Sequence, residues 1–233
     1  MNDLSLIVLT HNEELHIERC LKSVEGLVKN IYIIDSNSDD NTIEISKKFK
    51  TINFFNKWPG SQSKQLEWFF SKIDIKTDWV LRLDADEYLL PDLKHEIGQI
   101  ISNSEKWSDV GGFLMKRRLI FMDKWIKNGG YYPVKIVRLW KNNHGYWEDK
   151  DMDEHFIVNK GKTLCLKHDF VDHNLNKMEW WINKHNNYSS REVLNYFKSS
   201  ISISNLSKDK QFYNKFPLGI RPFFSSYTDI LYY

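Results

Sequence analysis

The sequence predicts an α/β fold, a mostly parallel sheet flanked by helices, and two patterns carry that prediction. Short apolar runs alternate with amphipathic stretches over residues 4–102, and the runs at 4–9, 30–34 and 79–83 each end in a polar or acidic loop. If those strands run parallel, the three loops open on one edge of the sheet, where open α/β folds take their ligands. The first half is therefore expected to bind a nucleotide.

Taken in order, residues 4–9 (Leu-Ser-Leu-Ile-Val-Leu) read as a strand buried on both faces, broken by Thr10-His11-Asn12-Glu13. A helix is expected over 14–24, with Leu15, Cys20, Leu21 and Val24 on its inner face. The second strand, 30–34, runs into Asp35-Ser36-Asn37-Ser38-Asp39-Asp40-Asn41-Thr42, a run suited to capping a helix over 42–49. Residues 51–55 give a third strand, Trp58-Pro59-Gly60 a turn, 61–71 a helix, 79–83 the fourth strand and 92–102 another helix. Beyond this the texture changes. Longer strands are expected over 112–121 and 135–140, a further one over 163–167, and a long helix over 177–197. Trp181, His185 and Tyr188 fall on one face of that helix, as a core stripe or an acceptor-binding wall. The second half is expected to pack on the first. This gives one domain over 1–200, with a nucleotide-binding half at 1–103 and an acceptor-side half at 104–200, followed by a tail at 201–233.

Composition narrows the class. A hydrophobic fraction of 41% and a charged fraction of 27% describe an ordinary globular chain, and a net charge of +2 with scattered basic residues argues against a nucleic-acid partner. The two cysteines, Cys20 and Cys165, lie far apart, which fits a reducing cytoplasm with no disulfide framework. No basic, apolar leader is visible at the start, and no apolar run reaches the roughly 20 residues that cross a bilayer.

The fourth strand ends in Asp84-Ala85-Asp86-Glu87. Three carboxylates in four residues repel one another, so the cluster calls for a cation. Hard ions such as Mg²⁺ or Mn²⁺ take oxygen ligands and share them with substrate phosphates. The bland alternative is a solvated acidic turn that opens the helix at Pro91.

Three motifs in this order, Thr10-His11-Asn12-Glu13, Asp35 through Thr42 and Asp84-Ala85-Asp86-Glu87, resemble the pattern of glycosyltransferase family 2. The whole chain is similar to bacterial members that build lipopolysaccharide, O-antigen or capsule. The resemblance implies a GT-A fold and an inverting hexosyltransferase that uses a nucleotide-diphosphate sugar, with UDP-sugar the favoured donor. The acceptor would be a glycan or a lipid-linked saccharide. It gives Asp86 to a Mn²⁺ or Mg²⁺ ion and Asp84 to the ion or the ribose. Thr10, His11, Glu13, Asp35 and Ser36 would line the base and ribose, and Lys64 would face the diphosphate. Ser36 stands where many relatives carry a second Asp, which leaves the nucleobase open. Lys64 has a solvated helix lysine as its bland alternative.

An attacking hydroxyl also needs a carboxylate base. Glu148-Asp149 and Asp153-Glu154 compete for that role. The run Asp153-Glu154-His155 resembles an acidic, His-containing motif of the envelope-polysaccharide members and so favours Glu154, with Asp153 beside it. His168 and His173 are candidates for a third metal ligand. A sugar-phosphate nucleotidyltransferase and a non-catalytic carbohydrate-binding protein are the rival readings. The first usually opens with a Gly-rich loop that this chain lacks, and the second does not need an acidic strand end. The aromatic tail, 216–233, carries two expectations: peripheral contact with the inner face of the cell membrane, or self-association.

Overall fold

The computed structural model describes residues 3–148 and 154–200. The expectations for Asp149, for Asp153 and for the tail at 201–233 lie outside the described residues. The chain divides into two units, Met1–Leu175 and Asn176–Tyr233.

In the first unit four parallel strands form half of a sheet: β1 (Leu4–Thr10), β2 (Asn30–Asp35), β3 (Ile52–Phe55) and β4 (Trp79–Asp84), in the spatial order β3-β2-β1-β4. In β1, β2 and β4 the side chains alternate between two largely buried faces, which is why these runs are mostly apolar, whereas the edge strand β3 leaves Ile52 and Phe55 exposed. Leu4, Leu6 and Val8 join one core with Leu81 and Leu83, while Ile7 joins the other with Val80. Helices α1 (Ile17–Ser23) and α4 (Pro91–Ser102) cover the first face with Ile17, Cys20, Leu21, Leu93, Ile97 and Ile100. Helix α2 (Thr42–Lys47) adds Ile43 and Ile45 to that side. Helix α3 (Gln62–Lys72) covers the second face with Leu66 and Phe69.

Three departures from the sequence reading have local causes. Helix α1 starts at Ile17 rather than at residue 14, because Glu13 O accepts the N–H groups of both His16 and Ile17 in a preceding turn. Leu15 is thereby left 55% exposed instead of on the inner face. Glu87 does not end an acidic loop but starts a three-residue strand, β5 (Glu87–Leu89), before Leu90 leads into α4. Helix α2 stops at Lys47 rather than 49, and Lys50 then takes a left-handed φ of 55°.

The sheet continues with β6 (Val110–Phe121), β8 (Val134–Lys141) and β11 (Lys162–His173), in the order β4-β8-β6-β11-β5. β8 runs antiparallel to β4 and to β6, β11 runs parallel to β6, and the short β7 (Lys124–Trp125) pairs with β6. The sheet is mixed but mainly parallel and helix-flanked, the α/β class expected. β11 reaches to His173, not 167, because its charged end is paired: Asp169 with Arg118 at 3.0 Å and Asp172 with Arg117 at 3.6 Å, both partners from β6.

A separate hairpin, β9 (Gly145–Trp147) with β10 (Phe156–Val158), docks by aromatic packing. Phe156 stacks on Trp140 at 4.2 Å, and Trp147 meets both rings edge-on. A Cβ at Gly145 would lie 2.3 Å from Ile157 O and 2.4 Å from the Phe156 ring, so the hairpin closes only with glycine there.

In the second unit, α5 (Met178–Ser200) carries the predicted stripe as a stack, with the Trp181 and His185 rings 3.7 Å apart and Tyr188 next to His185. His185 and Tyr188 are exposed on this helix rather than buried as core. Among the described residues no helix is long and apolar enough to cross a membrane.

Candidate active site at the carboxyl edge of the sheet

β1 sits between β2 and β4: the chain leaves it towards β2 on one side and crosses back from β3 to β4 on the other, which opens a crevice at the carboxyl ends of β1 and β4. The register puts Thr10 opposite Asp35 and Leu9 opposite Asp84, bringing the three polar loops to one edge.

The first two loops are stitched together. Both oxygens of Asp35 are engaged: Thr10 Oγ1 donates to Oδ1 at 2.8 Å and the Ser38 N–H to Oδ2 at 2.8 Å. The Asn12 N–H reaches Ser38 Oγ, the Asp39 N–H reaches Asn12 Oδ1, and the Glu13 N–H reaches Thr42 Oγ1 at 2.7 Å. Asn12 and Asn37 hold left-handed conformations, φ 56° and 61°, which asparagine tolerates better than most residues. Asp40 accepts from the Thr42 and Glu14 N–H groups. Burial works against its charge, but these bonds outweigh it and lower the pKa.

The sequence-predicted donor residues fall along this edge with different freedoms. Asp35 and Thr10 are buried and bonded to each other. Ser36 Oγ accepts from the buried Gln65, whose Oε1 takes Asn56 Nδ2 at 2.7 Å, so Gln65 fixes the second loop against α3. Glu13 Oε2 lies 2.6 Å from Nδ1 of the buried His16, whose Nε2 accepts the Leu175 N–H. That second bond puts the ring proton on Nδ1, so His16 donates to Glu13. His11 and Lys64 are exposed, and the Lys64 ammonium has no ion-pair partner among the described residues.

Beside the crevice lies a charge centre that the sequence reading caught only in part. Asp84 Oδ1 is 2.6 Å from Arg82 and Oδ2 is 2.8 Å from Arg138. Arg138 also pairs with Glu87, whose Oε2 accepts the Asp84 N–H at 2.9 Å. Arg82, Arg138 and Glu87 are each no more than 5% exposed. Burial alone would lower the Arg138 pKa, and the Glu87 and Asp84 carboxylates overcome it and raise it. Burial pushes Glu87 up to about 8, with Arg138 opposing and Asp84 and Asp172 adding. Burial likewise lifts Asp172 to about 6, with Asp86 adding and Arg117 opposing. The acidic strand end does receive cations, and guanidinium groups supply them.

This arrangement bears on the implied divalent ion. Among the described residues no group of three or more His, Cys, Asp or Glu is placed to hold a metal. Both Asp84 oxygens already hold guanidinium groups, so Asp84 does not fit as a ligand unless one is released. Asp86 fits better. Its side chain takes only Asn174 Nδ2, at 3.0 Å, and no guanidinium among the described residues. One carboxylate is enough where phosphates complete the coordination. His173, a candidate third ligand, has Nδ1 3.2 Å from Arg19 and Nε2 3.4 Å from Asp123, and burial followed by Arg19 lowers its pKa.

The two base candidates are placed differently. Glu148 Oε2 lies 3.2 Å from the His155 ring and 3.3 Å from its N–H, closing the β9–β10 hairpin. Glu154 instead accepts the Gln62 N–H at the start of α3, at 3.0 Å. Phe156, anchored on Trp140, holds the chain beside that helix start. Arg82, Arg138, Gln62 and Asp172 belong to the site although the sequence reading did not select them. An arginine two residues before Asp84, inside an otherwise apolar strand and therefore on the same face, was the one signal available.

The chain is similar to known proteins over much of its length. The model for Glycosyl transferase family 2 matches residues 5–146, more than half of the chain. An uncharacterized glycosyltransferase of Rickettsia typhi is 25% identical over 216 residues, covering 88% of this chain and 72% of its own length. Another from Rickettsia bellii is 30% identical over 103 residues, 44% of this chain and 34% of its own. Among solved structures, residues 1–349 of S. aureus TarS align over 73% of this chain and 60% of that one, with 16% identity and a TM-score of 0.49. Glucosyl-3-phosphoglycerate synthase from Mycobacterium tuberculosis, in a complex with Mn²⁺, UDP and glucosyl-3-phosphoglycerate, aligns over 50% of this chain and 43% of that one, with 21% identity and a TM-score of 0.37. On the match that spans both polar loops and the acidic strand end, this chain belongs to glycosyl transferase family 2.

Proposed function

We propose that the protein moves a hexosyl group, with inversion, from a UDP-sugar to a hydroxyl of a glycan or lipid-linked saccharide, in the synthesis of a bacterial envelope polysaccharide. The observation that carries the chemistry is the meeting of two ends at one sheet edge. Thr10, Asp35 and Asp84 stand on adjacent strand ends, and Glu154 reaches the same edge through Gln62 and Arg82. The acceptor and pathway rest on the resemblance of Asp153-Glu154-His155 to the envelope-polysaccharide members.

The donor loops, stitched as above, would cradle base and ribose, with His11 beside the base and Lys64 facing the diphosphate. Glu154 takes the proton from the acceptor hydroxyl as its oxygen attacks the anomeric carbon on the face opposite the diphosphate. The bond from that carbon to the diphosphate oxygen breaks, and its electron pair leaves with the nucleoside diphosphate. Asp86 would hold a Mn²⁺ or Mg²⁺ ion, and such an ion supplies charge neutralisation on the departing phosphates. Arg138 keeps Asp84 fixed at the crevice wall.

The test is UDP release from a panel of UDP-hexoses with Mn²⁺. Asp86→Ala should remove activity. Glu154→Gln should lower turnover by roughly 10²–10⁴-fold while leaving donor affinity nearly unchanged. Full turnover in excess chelator, or an active Glu154→Gln enzyme, overturns the reading.

A further inference from the structure

We propose that Gln62 and Arg82 are positioning residues for Glu154, forming a clasp on the first turn of α3 that fixes the carboxylate by one oxygen and ties it to the donor side. This rests on Glu154 being the base.

The first N–H groups of a helix have no partner inside it. In α3 the N-cap Ser61 accepts the Lys64 N–H with its side chain, at 3.3 Å, which leaves the Gln62 N–H to be met from outside. It is met by Glu154 Oε1 at 3.0 Å, from 92 residues further along the chain. A helix start also favours negative charge, so this seat suits an ionised carboxylate. Glu154 Oε2 accepts no hydrogen bond among the described residues. One oxygen is anchored, and the other is left to take a proton.

The Gln62 side chain extends the clasp. Its Oε1 accepts from Arg82 Nη2 at 2.7 Å, and the same nitrogen reaches Asp84 Oδ1 at 2.6 Å. Arg82 is 2% exposed and lies 5.1 Å from the Trp147 ring centre, in the hairpin that carries Glu154. Burial lowers its pKa, and the carboxylates of Asp84, Glu87 and Glu154 act against that. A displaced Arg82 would therefore disturb the Asp84 wall and the Glu154 seat together.

Two variants separate the parts. Gln62→Pro deletes both the N–H and the side-chain link to Arg82, and the first helical position suits proline. Ser61 before it is already extended, at φ −142° and ψ 158°, as a residue before proline must be. Gln62→Ala keeps the N–H and removes only the link to Arg82. With UDP release from UDP-hexoses as the readout, Gln62→Pro should lower kcat by about 10–100-fold, as a misplaced group does, with the donor KM no further from the parent than in Gln62→Ala and the melting temperature near the parent value. Gln62→Ala should lose less. A Gln62→Pro enzyme with parental kcat, or an equal loss in Gln62→Ala, overturns the clasp.

A readout without catalysis guards against a folding defect. In the full chain the Gln62 amide should exchange hydrogen about tenfold faster in Glu154→Ala, the effect of one lost hydrogen bond, and unchanged in Glu148→Ala. Equal exchange in both variants sinks the proposal. The failures are distinguishable: an active Glu154→Gln enzyme removes the base reading itself. An inactive Glu154→Gln beside a fully active Gln62→Pro removes only the clasp.

Discussion

Two neighbouring parts of the site hold their carboxylates by different physics. In the loops proposed to hold the donor, Asp35 and Asp40 are fixed by hydroxyl and backbone N–H donors drawn from the two adjoining loops. A few residues away, Asp84, Glu87 and Asp172 are fixed by guanidinium groups from β4, β8 and β6. A hydrogen-bonded loop acid can lose its charge and keep much of its geometry. A buried ion pair that loses one member leaves the other charged and out of water, so the second region should tolerate change far less.

The largest effect on stability should follow Arg138→Met. It takes the guanidinium from Glu87, which is 2% exposed, and leaves Asp84 with Arg82 alone; removing one partner of a buried pair typically costs 3–5 kcal/mol, about that here where Glu87 is ionised. Denaturant unfolding reads it. Asp35→Ala should come next, at about 1–3 kcal/mol, because it leaves the Thr10 hydroxyl and the Ser38 N–H without their acceptor. If Asp35→Ala proves the more damaging, the contrast between the two regions is wrong. The same pair of variants sharpens it in a second way. Asp35→Ala should weaken nucleotide binding by loosening both loops, whereas Arg138→Met should act first on folding.

The difference also explains how far the sequence could be read. β1, β2 and β4 announce themselves because each is a local apolar run largely buried on both faces, and the loops because each is an unbroken polar run at a strand end. Asp84 and Asp86 were visible on the same grounds. What answers Asp84 was not: Arg138 lies 54 residues away, on a strand whose place beside β4 no local pattern specifies. Asp169 and Asp172 look like the polar end of a strand until β6 supplies Lys116, Arg117 and Arg118 beside them, and only then does β11 extend through both. Glu87 misled for the same reason, since a buried strand glutamate makes sense only with Arg138 against it. In α1 the error was local: Glu14 turns outward to accept from Asn41, and the helix waits until Ile17.

The smallest predicted effect concerns pH, where the two regions should carry opposite signs. Asp40 has a lowered pKa, so its contribution is present above its ordinary value and is lost as pH falls. Asp172 is lifted from 3.8 to about 6, chiefly by burial and then by the Asp86 charge, with Arg117 opposing. Between those values the native state binds more protons than the unfolded chain, so stability is greatest below about pH 4 and falls as pH rises towards about 6. Glu87, lifted from 4.5 to about 8, adds to that slope from about pH 4.5 and carries it on above 6. Melting temperature measured across this range should therefore decline from pH 4 to 8. In Asp172→Asn, which keeps the shape but cannot ionise, the decline between about 4 and 6 should become shallower, down to the share Glu87 contributes, while the part above 6 persists. A parental slope below pH 6 in that variant would mean that Arg117 already holds Asp172 ionised in the folded protein. The centre would then keep its carboxylates as the donor loops do, and the contrast in their electrostatics would disappear.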